Sequence, residues 1–132
     1  MFGFGKKKDK EPKKPVAAEA VLTTERKEEL FRTISLKKEE VNQITGEQQA
    51  KVYEEIGLAF HELGEEDQAM EALEKSLQAK KSVGDGYKIL LKLYNKKRAE
   101  AAKANDEASL QIYLKKMDQM MQLSKDVARG LR

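Results

Sequence analysis

The pattern Tyr53, Ile56, Gly57, Phe60 comes round again 34 residues later as Tyr87, Leu90, Leu91, Tyr94. A fixed period of that length marks a supersecondary unit that cannot bury its apolar face alone and must stack on a neighbour. In the first copy, Gly57 sits inside the run YEEIGLAFHELGEEDQAMEALEKSL (53–77), which is otherwise made of good helix formers. A mid-helix glycine costs about 1 kcal/mol relative to alanine, so it is expected where a second helix comes too close for a side chain. Gly57 is read as that contact point, facing Ala69 and Ser76 while Tyr53, Ile56, Phe60 and Leu73 fill the flanks.

Helix boundaries follow from local chemistry. From about Thr24, the apolar residues Leu30, Phe31, Ile34, Val41 and Ile44 recur at helical spacing and predict one long helix to about residue 45, with a weaker stretch near Ser35. Thr45 and Gln48 have the spacing of a capping box that would open the next helix. Gly64 is placed for the left-handed cap that ends it, and Glu65, Glu66 and Asp67 supply negative charge to the start of the third. Gly84 and Gly86 punctuate again. Asn105 and Asp106 offer the last N-cap before a helix that runs to about Arg129 and closes at Gly130. The expectation is an all-α chain of about five helices with no strand.

Charge separates the chain into two parts. Residues 1–15 carry six lysines against Asp9 and Glu11, whereas the remainder holds 20 basic and 21 acidic residues, so the net charge of +3 resides in the arm. That arm, MFGFGKKKDKEPKKP, has too few apolar residues to offset the entropy of ordering and is expected to be a flexible basic tail. The chain has no cysteine and one histidine, which removes disulfides and leaves metal or thiolate sites almost without ligands. No apolar run approaches the length of a membrane span, and the composition suits a reducing, cytoplasmic setting.

The spacing of Tyr53, Ile56, Gly57 and Phe60, followed by Ala69, Leu73 and Ser76, resembles the tetratricopeptide repeat (TPR), as does the 34-residue return at Tyr87, Leu90 and Tyr94. The resemblance implies a right-handed stack of antiparallel helix-turn-helix units within a single domain spanning 16–132. Its parts would be a capping helix over 24–45, a first repeat over 50–83, a degenerate second repeat over 84–122 and a C-terminal end over 123–132. The second copy departs from the family pattern in three places: Leu91 replaces the glycine, Lys81 stands where a proline is usual, and the second-helix alanine arrives late, at Ala108. Leu91 implies that its helix pair sits further apart or crosses elsewhere. One period upstream, Glu19, Leu22, Thr23 and Arg26 fall on the signature positions and do not fit, so the N-terminal helix is expected to cap the stack. So short an array needs capped ends or self-association.

In this family the first helix of each unit lines a concave surface. The resemblance therefore assigns a partner-binding groove to Lys51, Glu54, Leu58, His61 and Glu62 in the first copy, and to Asp85, Lys88, Lys92, Asn95 and Lys96 in the second. Lys88, Lys92, Asn95 and Lys96 rise on one face at three-to-four spacing and suit an acidic segment or a terminal carboxylate. The alternative is a solvated lysine face that serves solubility alone. His61 lacks the base-orienting and nucleophilic neighbours of a catalytic centre, so no enzyme, cofactor or metal is expected. Met117, Met120 and Met121, with Leu110, Tyr113, Leu114 and Val127, form a stripe that is either core or a face for self-association. The expected function is a non-catalytic adaptor or scaffold for a peptide or protein. The alternative is an RNA- or ribosome-associated factor acting through the basic ridge and the arm, which would equally suit an anionic membrane surface.

Overall fold

The computed structural model describes residues 22–130; the basic arm and the segment up to residue 21 lie outside the described residues. The described chain is all-helical: α1 (Thr24–Val41), α2 (Gln48–Glu62), α3 (Glu66–Ala79), α4 (Asp85–Lys103) and α5 (Glu107–Ala128). No residue among those described forms a strand.

Consecutive helices run antiparallel, as the cross-helix pairs show. Arg26 meets Glu62 and Lys37 meets Glu55 between α1 and α2. Ser76 donates to the Ala50 carbonyl at 2.7 Å between α2 and α3. Tyr87 donates to the Met120 carbonyl at 3.0 Å, and the Tyr94 and Tyr113 rings lie 6.1 Å apart, between α4 and α5. α2 also touches α4, whereas no Cα atoms of α1 and α3, or of α3 and α5, approach within 8 Å. The helices thus form two rows, with α2 and α4 side by side in one and α1, α3 and α5 spaced apart in the other.

Gly57 holds the first pair together. A Cβ built on it would lie 2.6 Å from Leu73 Cγ and 3.3 Å from the Ala69 carbonyl oxygen. Leu73 and Ala69 are each 0% exposed. Gly57 thus faces Ala69, as the spacing suggested, but the side chain lodged over its bare backbone is that of Leu73, and Ser76 does not reach it. Ser76 sits elsewhere along the seam, where its small, buried hydroxyl ties α3 to the start of α2. Burying Leu73 fully contributes about 1.5–3 kcal/mol, more than the helix propensity the glycine gives up.

The 34-residue period survives in burial: Ile56 and Phe60 are buried, and so are Leu90 and Tyr94. The second helices, however, are offset by 41 residues, because α3 begins at Glu66 and α5 at Glu107. The seven extra residues equal about two helical turns: α4 ends at Lys103, 41 residues after α2 ends at Glu62, so its C-terminal end runs that far past the repeat register. At that offset Ala69, Ala72, Ser76 and Ala79 correspond to Leu110, Tyr113, Met117 and Met120. Small Ala69 and Ser76 lie against the helix that carries Gly57, whereas on α5 the larger Tyr113, Met117 and Met120 pack on the core. Ala108, the late alanine of the sequence reading, is exposed in the first turn of α5 and makes no such contact.

Local signals hold at most boundaries. Gly64 is left-handed (φ 81°), and Glu65 donates to the Phe60 carbonyl at 2.9 Å, the long bond of a Schellman turn. Asn105 ends α4 with φ 56°, and Asp106 caps α5 by accepting from the Ser109 N–H at 3.1 Å. Two expectations differ. Thr45 caps nothing; α2 opens at Gln48 behind a left-handed Gly46, and the Gln49 amide donates to the Val41 and Ile44 carbonyls, closing the end of α1. Phe31 is 54% exposed, because α1 packs through Leu30, Ile34 and Val41, and Phe31 lies a step round the helix from that stripe. α1 runs unbroken past Ser35 and ends at Val41.

Replacing Gly57 with alanine should lower stability by about 1–3 kcal/mol despite the better helix propensity, since Leu73 must be displaced. Gly57→Ala combined with Leu73→Ala should cost less than the sum of the two single changes, as measured by urea unfolding.

Candidate functional site

Two surfaces flank the row formed by α2 and α4. The first is the exposed edge of these two helices, where the sequence reading placed its groove. Glu54, half-buried on α2, accepts from the Gly86 N–H at 2.8 Å and so occupies the positive end of the α4 dipole. A Cβ on Gly86 would lie 2.7 Å from the same carboxylate oxygen, so this glycine is required for the approach. Glu62 accepts from both Nε and Nη2 of Arg26, at 2.7 and 2.9 Å, and this pairing holds its carboxyl below the usual carboxylate range against the opposing effect of burial. Lys96 is paired with Glu66, which also lies 3.7 Å from Lys97, and this pairing raises the Lys96 ammonium above its ordinary value. The Asn95 side chain accepts from Arg98 Nε at 3.0 Å.

Four of the ten groove residues are therefore engaged with the fold itself. Lys51, Lys88 and Lys92 are exposed, their ammonium groups have no ion-pair or hydrogen-bond partner among the described residues, and Leu58 is half-buried on α2. His61 is half-buried, and its Nδ1 is shielded from solvent without a hydrogen-bond partner. Asp85 is exposed in the first turn of α4. No side-chain hydrogen bond or ion pair among the described residues joins any two of the ten to one another.

The second surface escaped the sequence reading. Because α3 and α5 stand apart, a cleft of about 750 Å³ opens between them over α4. Its floor is Leu77, Leu90, Tyr94, Met120 and Leu123. Tyr94 donates to Glu74, and Lys116 donates to the same Glu74 oxygen at 2.8 Å while lying 5.4 Å from the centre of the Tyr94 ring. Burial first, and then Glu74, push the Tyr94 phenol far above its ordinary value, so it stays protonated. At the other end Lys81 meets Asp126 at 3.1 Å. A smaller groove of about 330 Å³ lies between α1 and α3 over Tyr53, Ile56 and Phe60, one period earlier. The only advance sign of the larger opening was the delayed cap at Asp106, which sets the seven-residue excess.

The methionine stripe divides. Met120 is buried beneath the cleft, Met117 is half-buried, and Met121 is 54% exposed. Among the described residues no three His, Cys, Asp or Glu side chains gather as metal ligands, and no helix is long and apolar enough to cross a membrane. Family models, curated proteins and solved structures give no match to this chain.

Glu54→Ala should cost about 1–2 kcal/mol by removing a charged acceptor from the start of α4, and hydrogen exchange should rise first at Gly86 and Tyr87. At the start of α5, hydrogen bonding to Ser109 holds the Asp106 carboxyl below its ordinary value of 3.8. The stabilisation this implies is complete above the unfolded value and fades as pH falls through the lower folded value. The thermal midpoints of the wild type and Asp106→Ala should therefore differ at pH 7 and converge toward strongly acidic pH.

Proposed function

We propose that the chain is a non-catalytic adaptor, a TPR-like pair of helix-turn-helix units behind a capping helix, whose α2/α4 face takes an acidic segment of another protein. One observation carries this reading: on that face, among the described residues, the fold engages the carboxylates of Glu54 and Glu62, leaves Asp85 alone exposed and unpaired, and leaves three lysines free. Glu54 is committed to Gly86, Glu62 to Arg26 and Glu66 to Lys96 and Lys97, while Lys51, Lys88 and Lys92 stay exposed without partners among the described residues. Lys51 lies one helical turn before Glu54, and Lys88 follows Gly86 by two residues, so the Glu54–Gly86 bond sets the two lysine-bearing edges side by side.

A surface of this kind recognises charge first and shape second. An acidic segment laid across α2 and α4 would meet ammonium groups on long, adaptable stems, with Leu58 offering an apolar contact between them. Association would be fast and salt-sensitive, and its strength would depend on how many lysines are engaged together. The 34-residue period, the close approach at Gly57 and the pairing of α2 with α4 support the repeat architecture on which this face is built.

Fluorescence anisotropy with a labelled glutamate-rich peptide and a lysine-rich control should show binding of the acidic peptide alone. The affinity should fall at least about tenfold in Lys51→Glu/Lys88→Glu/Lys92→Glu, a loss of about 1.4 kcal/mol or more. Equal affinity in the wild type and the triple variant would reject the reading. Stronger binding of single-stranded RNA than of peptide would favour a nucleic-acid partner instead.

A further inference from the structure

We propose that the cleft between α3 and α5 binds a straight-chain fatty acid, with the alkyl chain over Leu77, Leu90, Met120 and Leu123 and the carboxylate on Lys80. The site lies in the outer row and does not rest on the adaptor reading of the α2/α4 face.

The cleft has the size and the lining of a small-molecule site: about 750 Å³ between helices, apolar at the floor, with a few polar groups at the rim. One end is shut by groups that satisfy one another. Tyr94 and Lys116 donate to the same Glu74 oxygen, and the Lys116 ammonium lies 5.4 Å from the centre of the Tyr94 ring. From Lys116 the lining runs along α5 through Met120 and Leu123 to Val127, about 16 Å of helix. Toward the far end Lys81 and Asp126 join the walls a second time, at 3.1 Å. The groove one period earlier differs. It measures about 330 Å³, and Lys38 and Lys75 lie over the Phe60 and Tyr53 rings, so its aromatic floor is already covered.

Width, polarity and charge select the occupant. A helix laid along the cleft is about 10–12 Å across and would have to part both bridges, whereas a bare alkyl chain leaves them in place. An extended peptide would set N–H and C=O groups over leucine and methionine side chains that cannot bond them, a cost that an alkyl chain does not carry. The charged residues of the lining are Glu47, Glu74, Lys80, Lys81 and Lys116. Glu74 and Lys116 are paired with each other and Lys81 with Asp126, while the exposed Lys80 ammonium has no ion-pair or hydrogen-bond partner among the described residues. Lys80 follows the last residue of α3, six residues beyond Glu74, and so stands at the end away from the Tyr94 cluster. An anion held there lets its chain run back along the apolar floor. An apolar body with one terminal carboxylate fits this arrangement.

The fluorescence of cis-parinaric acid titrated with the full chain should rise to saturation at one probe per chain, and dodecanoate below its micellar concentration should displace it. Dodecyltrimethylammonium, with the same chain and the opposite charge, should compete at least about tenfold less well. Lys80→Glu should weaken probe binding at least about fivefold. Leu123→Trp, which fills the cleft, should abolish binding with an unchanged helical circular dichroism spectrum, and Lys75→Glu, beside the smaller groove, should bind as the wild type does. The absence of saturable binding overturns the proposal. So does equal competition by dodecanoate and dodecyltrimethylammonium, or an affinity indifferent to both Lys80→Glu and Leu123→Trp.

Discussion

The approach of Leu73 to the bare backbone at Gly57 is the constraint from which the rest of the structure proceeds. It brings α3 close enough for Ser76 to reach the Ala50 carbonyl, and it sets the Ala69 and Leu73 side chains entirely out of solvent. With α2 and α3 locked in register, the open side of α2 is free to receive α4, and Glu54 is in position to hold the first turn of that helix. Close packing of this kind leaves little freedom to slide, because a shift of one residue would drive Leu73 against a side chain instead of a glycine. The first helix pair thus acts as the rigid element, and the second is assembled on it.

The second pair keeps the period of its inner helix and abandons that of its outer one. Leu91 stands where Gly57 stood, and the packed surface changes from alanine and serine to Tyr113, Met117 and Met120. These substitutions are mutually consistent: without a glycine the helices cannot nest, and larger side chains fill the added distance. The C-terminal end of α4 runs seven residues, about two turns, beyond the repeat register before α5 turns back. The cleft over Leu90 and Tyr94 is the space left by that adjustment, and its walls are joined at two places by Lys116 with Glu74 and by Lys81 with Asp126.

Much of the backbone course was legible because it depends on neighbours in sequence. Gly64 and Asn105 adopt left-handed conformations that few residues accept, and Asp106 carries a carboxylate three residues before an N–H it can reach. The all-helical fold and the tight contact at Gly57 followed from patterns of the same local kind. Thr45 was misread for the converse reason: its side chain could cap a helix only if the backbone entered at the right angle, and Gly46 turns the chain elsewhere. Phe31 was assigned to the packed stripe because one turn of sequence cannot say which of two adjacent apolar residues faces inward. The candidate site was less legible. Whether Glu54 and Glu62 are free or committed depends on Gly86 and Arg26, more than thirty residues away, and no spacing rule reports such pairs.

The separation of α1, α3 and α5 gives the molecule a direction of softness. Bending that opens or shuts the space between α3 and α5 disturbs no backbone ladder, and the charged tethers across it, Lys116 with Glu74 and Lys81 with Asp126, weaken in salt. Bending the other way would crowd α2 against α4 and meets hard repulsion at once. The body therefore flexes like a leaf spring with one stiff side, and ionic strength sets its compliance.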